Sequence, residues 1–210
     1  MKDTKFLKAA IFTNSLVPLL LMLWDWRHNR LGANPVEFVT RTTGTLTLIF
    51  LLLGLAITPL RKLTGYNPLI KYRRMIGLFA FFYGALHLTT YVWFDMFFHV
   101  TEIVQDTFAR PFILVGMVSF LLMIPLAVTS TNRMIKRLGG KRWSRLHKTV
   151  YAVALGGVLH YYLIVKADTT WPLLFALVLA ILLGYRIWVN YSDEGKTKPL
   201  SIAPPAPPRR

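Results

Sequence analysis

Six long apolar runs without a charged residue constrain this chain more than any other feature. They cover residues 9–24, 42–60, 75–94, 111–132, 149–165 and 169–185, each closed at both ends by Lys, Arg or Asp. A helix rises about 1.5 Å per residue, so about 20 apolar residues cross roughly 30 Å of bilayer hydrocarbon. The runs are 16 to 22 residues long, and the shorter ones must borrow flanking residues. Continuous runs also exclude a β-barrel, whose strands alternate lipid-facing and lumen-facing residues. The expected fold is an all-α membrane protein, a six-transmembrane-helix bundle over residues 1–191. Its spans lie at about 9–26, 42–60, 75–94, 111–132, 146–165 and 169–187. Residues 192–210, which end in KPLSIAPPAPPRR, lack the apolar content for a core and are expected to form a disordered cytoplasmic tail.

The net charge of +16 raises the possibility of a nucleic-acid partner, and the placement of the charges argues against it. With the N-terminus inside, 20 of the 25 Lys and Arg fall on inner segments, and six of the nine acidic residues fall on outer loops. That asymmetry is the positive-inside rule, and it makes both termini cytoplasmic and the main partner membrane lipid. The first run is expected to stay as an anchor, because Trp24, Asp25 and Trp26 stand where a signal peptide would need small residues. With no cysteine in the chain, no dithiol relay or outer disulfide is available.

Of the five histidines, His28 and His99 sit in or beside outer loops, where solvated imidazoles are ordinary. His87 and His160 lie inside the third and fifth spans, where ionisable groups are costly and usually face the bundle interior. Taken singly, each is as well explained by an interhelical hydrogen bond. Their depth distinguishes them: His87 is 13 residues after Arg74 and His160 is 12 after Lys148, on spans that run the same way. Two imidazoles at one level can supply both axial nitrogens to a haem iron. Gly84 and Gly157 each precede a histidine by three residues, leaving room for a porphyrin edge, although small residues equally serve close helix packing.

His147, at the inner end of the fifth span, is 13 residues before His160, about 20 Å away along a helix. That spacing would suit haems on opposite sides of the membrane. The matching place on the third span, however, is Arg73, which cannot ligate iron. One haem is therefore favoured and two remain open. With one, His147 would contact a flavin, a quinone or an acidic headgroup. Arg73, Arg74, Arg142 and Arg145 crowd the same surface and have the fork geometry for flavin phosphate or haem propionates, though topology and anionic lipid alone account for inner arginines.

The segments NPLIKYRRMIGLFAFFYGALHLTTY, WSRLHKTVY, GGVLHYY, LGANPVEFVTRTTG and LAITPL together resemble the MsrQ (YedZ) family, within the ferric reductase-like transmembrane domains. The resemblance covers essentially residues 10–190. It implies haem b held by His87 and His160, a functional role for His147, and FMN as a further cofactor. It also implies a bacterial inner-membrane location and electrons from the quinone pool or a cytoplasmic flavin reductase. The acceptor would be a periplasmic molybdenum-containing reductase of the MsrP type, which repairs oxidised methionines.

No glycine-rich dinucleotide fingerprint occurs, so any NAD(P)H must be oxidised by another protein. The uncharged runs hold no carboxylate for a proton relay. An electron-transfer subunit, a self-contained metal reductase and a transporter with substrate-binding histidines stay open. The outer loop from Asp95 to Arg110 places Met96, Phe97, Val100, Ile103, Val104, Thr107 and Phe108 at helical spacing. This predicts an amphipathic interfacial helix whose opposite face, with His99, Glu102, Gln105 and Asp106, forms part of a docking surface for the electron acceptor.

Overall fold

The computed structural model describes residues 2–197, all of whose regular elements are helical. The long helices are α1 (Lys2–Arg27), α2 (Pro35–Thr64), α3 (Arg73–Thr90), α5 (Pro111–Val128), α8 (Val150–Ile164) and α9 (Thr170–Thr197). Between them lie α4 (Val100–Ala109), α6 (Asn132–Leu138) and α7 (Gly140–His147). A 3₁₀ turn at Asn67–Lys71 leads into α3, and a π-helical turn at Tyr91–Asp95 follows it.

Local chemistry sets most boundaries. The Asn34 side chain accepts the Glu37 N–H at 3.1 Å and Pro35 occupies the first turn of α2, where its missing N–H costs nothing. That cap starts the helix at Pro35, seven positions before the first residue of the apolar run at 42. Gly65 ends α2 with φ 70° and donates its N–H to the Arg61 carbonyl, the left-handed stop that glycine adopts without a Cβ penalty.

Five helices among the described residues are long and apolar enough to cross a membrane: 4–27, 35–64, 73–95, 111–128 and 170–189. The sixth expected span is shorter than predicted. Instead of starting at 146, α8 has 15 residues, a rise of about 22 Å. The reason lies at its N-terminal end, where Lys148 and Thr149 donate their N–H groups three residues back, to Arg145 and Leu146, tightening the join with α7 into 3₁₀ geometry. At the other end of the chain, α9 continues to Thr197, past the expected start of the tail at Ser192. The rest of that tail lies outside the described residues.

The core joins Leu48, Phe50, Leu51 and Leu55 of α2, Phe79, Ala80 and Tyr83 of α3, Met123 of α5, Val153 and Val158 of α8, and Phe175 and Leu179 of α9. α3 packs most extensively on α2, and α5 on α8. α1 is tied on by the Tyr83 hydroxyl, which donates to the Ser15 carbonyl at 2.6 Å, and by Phe12 against Phe79. Outward-facing positions carry large apolar side chains such as Leu20, Leu53, Leu121, Leu177 and Ile181. So extensive an apolar exterior is foreign to a monomer in water and suits lipid.

A proline defines the contact of α2 with α9. Pro59 has no N–H for the Leu55 carbonyl one turn earlier, and Arg186 of α9 donates to that carbonyl instead, at 2.8 Å. The same guanidinium donates to the Tyr151 hydroxyl and lies 5.1 Å from the centre of that ring.

Candidate functional site

His87 and His160 face each other in the interior, their ring centres 6.0 Å apart and their planes at 80°. Each ring is fixed by the helix its own helix packs on. The His87 Nδ1 lies 2.9 Å from the Thr40 carbonyl of α2, and the His160 Nδ1 lies 2.6 Å from the Phe112 carbonyl of α5. A carbonyl oxygen only accepts, so both Nδ1 atoms carry the hydrogen and both Nε2 atoms keep a lone pair. Such a bond is what orients a metal-ligating histidine and sets its tautomer.

Glycine makes these bonds possible. In a helix the Cα–Cβ bond tilts toward the N-terminus, so the side chain one turn after a carbonyl tends to cover it. The residues one turn after Thr40 and Phe112 are Gly44 and Gly116. A Cβ on Gly44 would come 3.0 Å from the His87 Nδ1, and one on Gly116 would come 2.8 Å from the His160 Nδ1. The arrangement is therefore made twice, once by α2 with α3 and once by α5 with α8. In sequence alone no internal repeat is evident; the repeat is geometric, with each histidine 47 or 48 residues after its carbonyl partner.

The donor set fits haem. A metal held between two imidazoles by bonds of about 2 Å, with about 1 Å from each nitrogen to its ring centre, spans about 6 Å. The observed separation matches. No cluster of three or more His, Cys, Asp or Glu able to hold a metal occurs among the described residues. Two imidazoles alone suit a metal whose remaining positions belong to a macrocycle better than a bare ion.

Gly84 and Gly157 meet neighbours of another kind. A Cβ on Gly84 would touch Thr47 of α2 and Phe120 of α5 at 3.5 and 3.6 Å, and one on Gly157 would press on Leu48 of α2 at 2.8 Å. Both positions allow close helix packing, as Gly156 does against Ser119. Gly44, Gly116 and the two carbonyls escape a search centred on histidines. Their trace in the sequence is a glycine at matching depth in each of the second and fourth runs.

His147, Arg73 and Arg74 come together at a second place. They line a cavity of about 90 Å³ with Trp143, Gly54, Gly77, Phe81 and Met123. The Thr129 hydroxyl donates to the Pro125 carbonyl at 2.6 Å, so its oxygen accepts from the His147 Nε2 at 3.0 Å. The hydrogen then sits on Nε2 and leaves Nδ1 with the lone pair, the opposite tautomer to that of His87 and His160. Trp143 stacks on His147 at 3.9 Å and donates its indole N–H to the Thr129 carbonyl at 2.9 Å. Arg74 is held by Asn132 Oδ1 at 2.6 Å. Arg142 and Arg145 do not line this cavity.

In the segment between α3 and α5, α4 exposes Val100, Val104 and Phe108, as an interfacial helix should. Glu102 and Gln105 are exposed. Asp106 departs from the expected free face: it accepts from the Tyr91 hydroxyl at 2.9 Å and pairs with Arg110 at 2.7 Å. Its i,i+4 spacing to Arg110 and the π turn that redirects Tyr91 draw it inward.

Residues 42–158, spanning the histidine pair's first member and the whole His147 cavity, match the family of ferric reductase like transmembrane components. A protein-methionine-sulfoxide reductase heme-binding subunit MsrQ of Herminiimonas arsenicoxydans is 49% identical over 93% of this chain and 90% of its own length. Proteins of the same name from Azospira oryzae and Xanthomonas campestris pv. campestris are 50% and 44% identical, over 95% and 96% of this chain and 86% and 95% of their own lengths. At that identity over nearly full length, the chain belongs to the MsrQ family, within the ferric reductase like transmembrane components.

Proposed function

We propose that this multi-pass membrane protein is the haem b-carrying electron-transfer subunit of a protein-methionine-sulfoxide reductase system in the bacterial inner membrane. The observation that carries the reading is the facing pair His87 and His160, each with Nδ1 on a helix carbonyl and Nε2 free to ligate. Haem bound there supplies a one-electron couple. The chain's part is to fix both imidazoles, to exclude water with the surrounding apolar helices, and to hold the pair at one depth. With α8 as the sixth span and its 3₁₀ join at the inner surface, both termini are cytoplasmic, and 20 of 25 basic residues then face inward. The bundle over 1–191 is one domain.

The cavity around His147 suits an electron-entry site. Arg73 and Arg74 offer guanidinium forks to an FMN phosphate, and Trp143 stacked on His147 offers a flat wall to a ring. The donor there is the quinone pool or a cytoplasmic flavin reductase, and a second haem on His147 is the competing occupant. A periplasmic MsrP-type molybdenum reductase receives the electrons, in keeping with the relatives' being subunits of a protein-methionine-sulfoxide reductase. The likeness of residues 42–158 to ferric reductase like transmembrane components favours one further reading, a self-contained transmembrane ferric reductase.

Reduced-minus-oxidised spectra of the purified protein test the central claim. Sharp b-type bands are expected, and His87→Ala and His160→Ala should each abolish the signal of the shared haem. Unchanged bands and haem content in both variants would overturn the pairing. Reduction of ferric chelates without a periplasmic partner would move the reading to a metal reductase.

A further inference from the structure

The start of α1 and the approach to α3 enclose a cleft that shares only Arg74 with the His147 cavity. Thr4, Lys5 and Lys8 of α1 face Ile70, Lys71 and Tyr72 across it, with Arg74 at the side, around a space of about 320 Å³. Lys5 and Lys8 are nearly one helical turn apart and so share a face with Thr4. Tyr72 is 2% exposed, and its hydroxyl reaches the Thr4 carbonyl at 3.5 Å, so the phenol ties the two walls together. Four cations thus converge from three segments, and no described residue lining the cleft is acidic.

The cleft lies where two membrane-crossing helices begin, at 4–27 and 73–95, which puts it at the boundary of hydrocarbon and headgroup. Ile70, 43% exposed, adds apolar surface beside the charges. Like charges gathered in one concave site repel until an anion joins them, and basic pockets between membrane helices on the cytoplasmic side are where acidic headgroups bind. We propose that this cleft holds the phosphate headgroup of an anionic glycerophospholipid, with Lys5, Lys8 and Lys71 on the phosphate oxygens and the acyl chains passing Ile70 into the bilayer. The proposal rests on the membrane reading of α1 and α3. It does not depend on the histidine pair, whose spectrum is read separately.

Native mass spectrometry of the full chain in detergent provides the test, with phosphatidylglycerol or phosphatidylcholine added in equal amounts. Phosphatidylglycerol should be retained in preference, and Lys5→Gln/Lys8→Gln/Lys71→Gln should cut its retention about tenfold. A control with the same charge change, Arg133→Gln/Lys136→Gln/Arg137→Gln, should retain it as the unmodified chain does. Helical circular dichroism checks folding, and Lys5→Gln and Lys71→Gln singly should give intermediate losses if the triple variant unfolds. Equal losses in the two triple variants would overturn the proposal, as would equal retention of the two lipids. Millimolar inorganic phosphate that displaces the lipid and raises the melting temperature as much would assign the cleft to a free anion instead.

Discussion

Gly44 and Gly116 decide how firmly the two imidazoles are held, because the hydrogen bonds on Nδ1 exist only where no side chain covers the carbonyl. A methyl group at Gly116 would meet His160 at 2.8 Å, and one at Gly44 would meet His87 at 3.0 Å. Neither approach is tolerable without movement of the ring, and overpacking of this kind typically costs about 1–3 kcal/mol. Gly116→Ala should lower haem content more than Gly44→Ala, and in both the helical circular dichroism should be kept while the b-type bands broaden or shift. Equal, unaltered spectra in the two variants would show that the carbonyl contacts are incidental. The histidines themselves were legible in the sequence from matched depth alone. Their carbonyl partners were not, because a backbone oxygen leaves no letter and pairing of α2 with α3 and of α5 with α8 is a tertiary fact. Likewise Gly84 and Gly157 stand three residues before the histidines, and spacing could not tell whether they faced a porphyrin or the Thr47, Phe120 and Leu48 side chains they meet.

At the scale of the element, apolar runs located the long helices but not how they end. Asn34 with Pro35 begins α2 ahead of its run, a cap in a segment whose Glu37 and Arg41 hide it from a search for uncharged residues. The 3₁₀ join before α8 and the π turn after α3 carry no sequence signature, since both are set by what packs around them. Pro59 shows the reverse case, a local break that tertiary contact repairs. Removing its partner with Arg186→Met should leave the Leu55 carbonyl buried and unpaired, a loss of about 1–3 kcal/mol. In a Pro59→Ala background the helix can supply its own N–H, so the same substitution should cost clearly less. Thermal unfolding of the four chains in one detergent measures the coupling, and strictly additive losses would mean that Arg186 acts through Tyr151 alone.

The whole molecule places its two candidate sites at different levels, with the histidine pair beneath α4 and the π turn, and the His147 cavity at the other ends of α3 and α5. On the reading proposed above, an electron leaving the pair would emerge nearest the loop that carries α4, and we propose the exposed face of α4 as the surface for the acceptor. Of its acidic residues only Glu102 is a clean probe. Its contact with His99 is long, at 3.5 Å between two exposed side chains, and adds little. Asp106 is bound to Tyr91 and Arg110, so changing it would disturb the end of α3 and confuse docking with structure. Acidic groups at a rim act mainly by steering encounter, and salt screens them over about 8 Å at physiological ionic strength. Glu102→Lys should therefore slow electron transfer to the periplasmic reductase severalfold at low salt, with haem content unchanged, and the difference should vanish at high salt. A steering role fails if the low-salt rate equals that of the unmodified chain, and α4 is then a cap on the bundle. A deficit that persists at high salt would instead make Glu102 a direct contact at the interface.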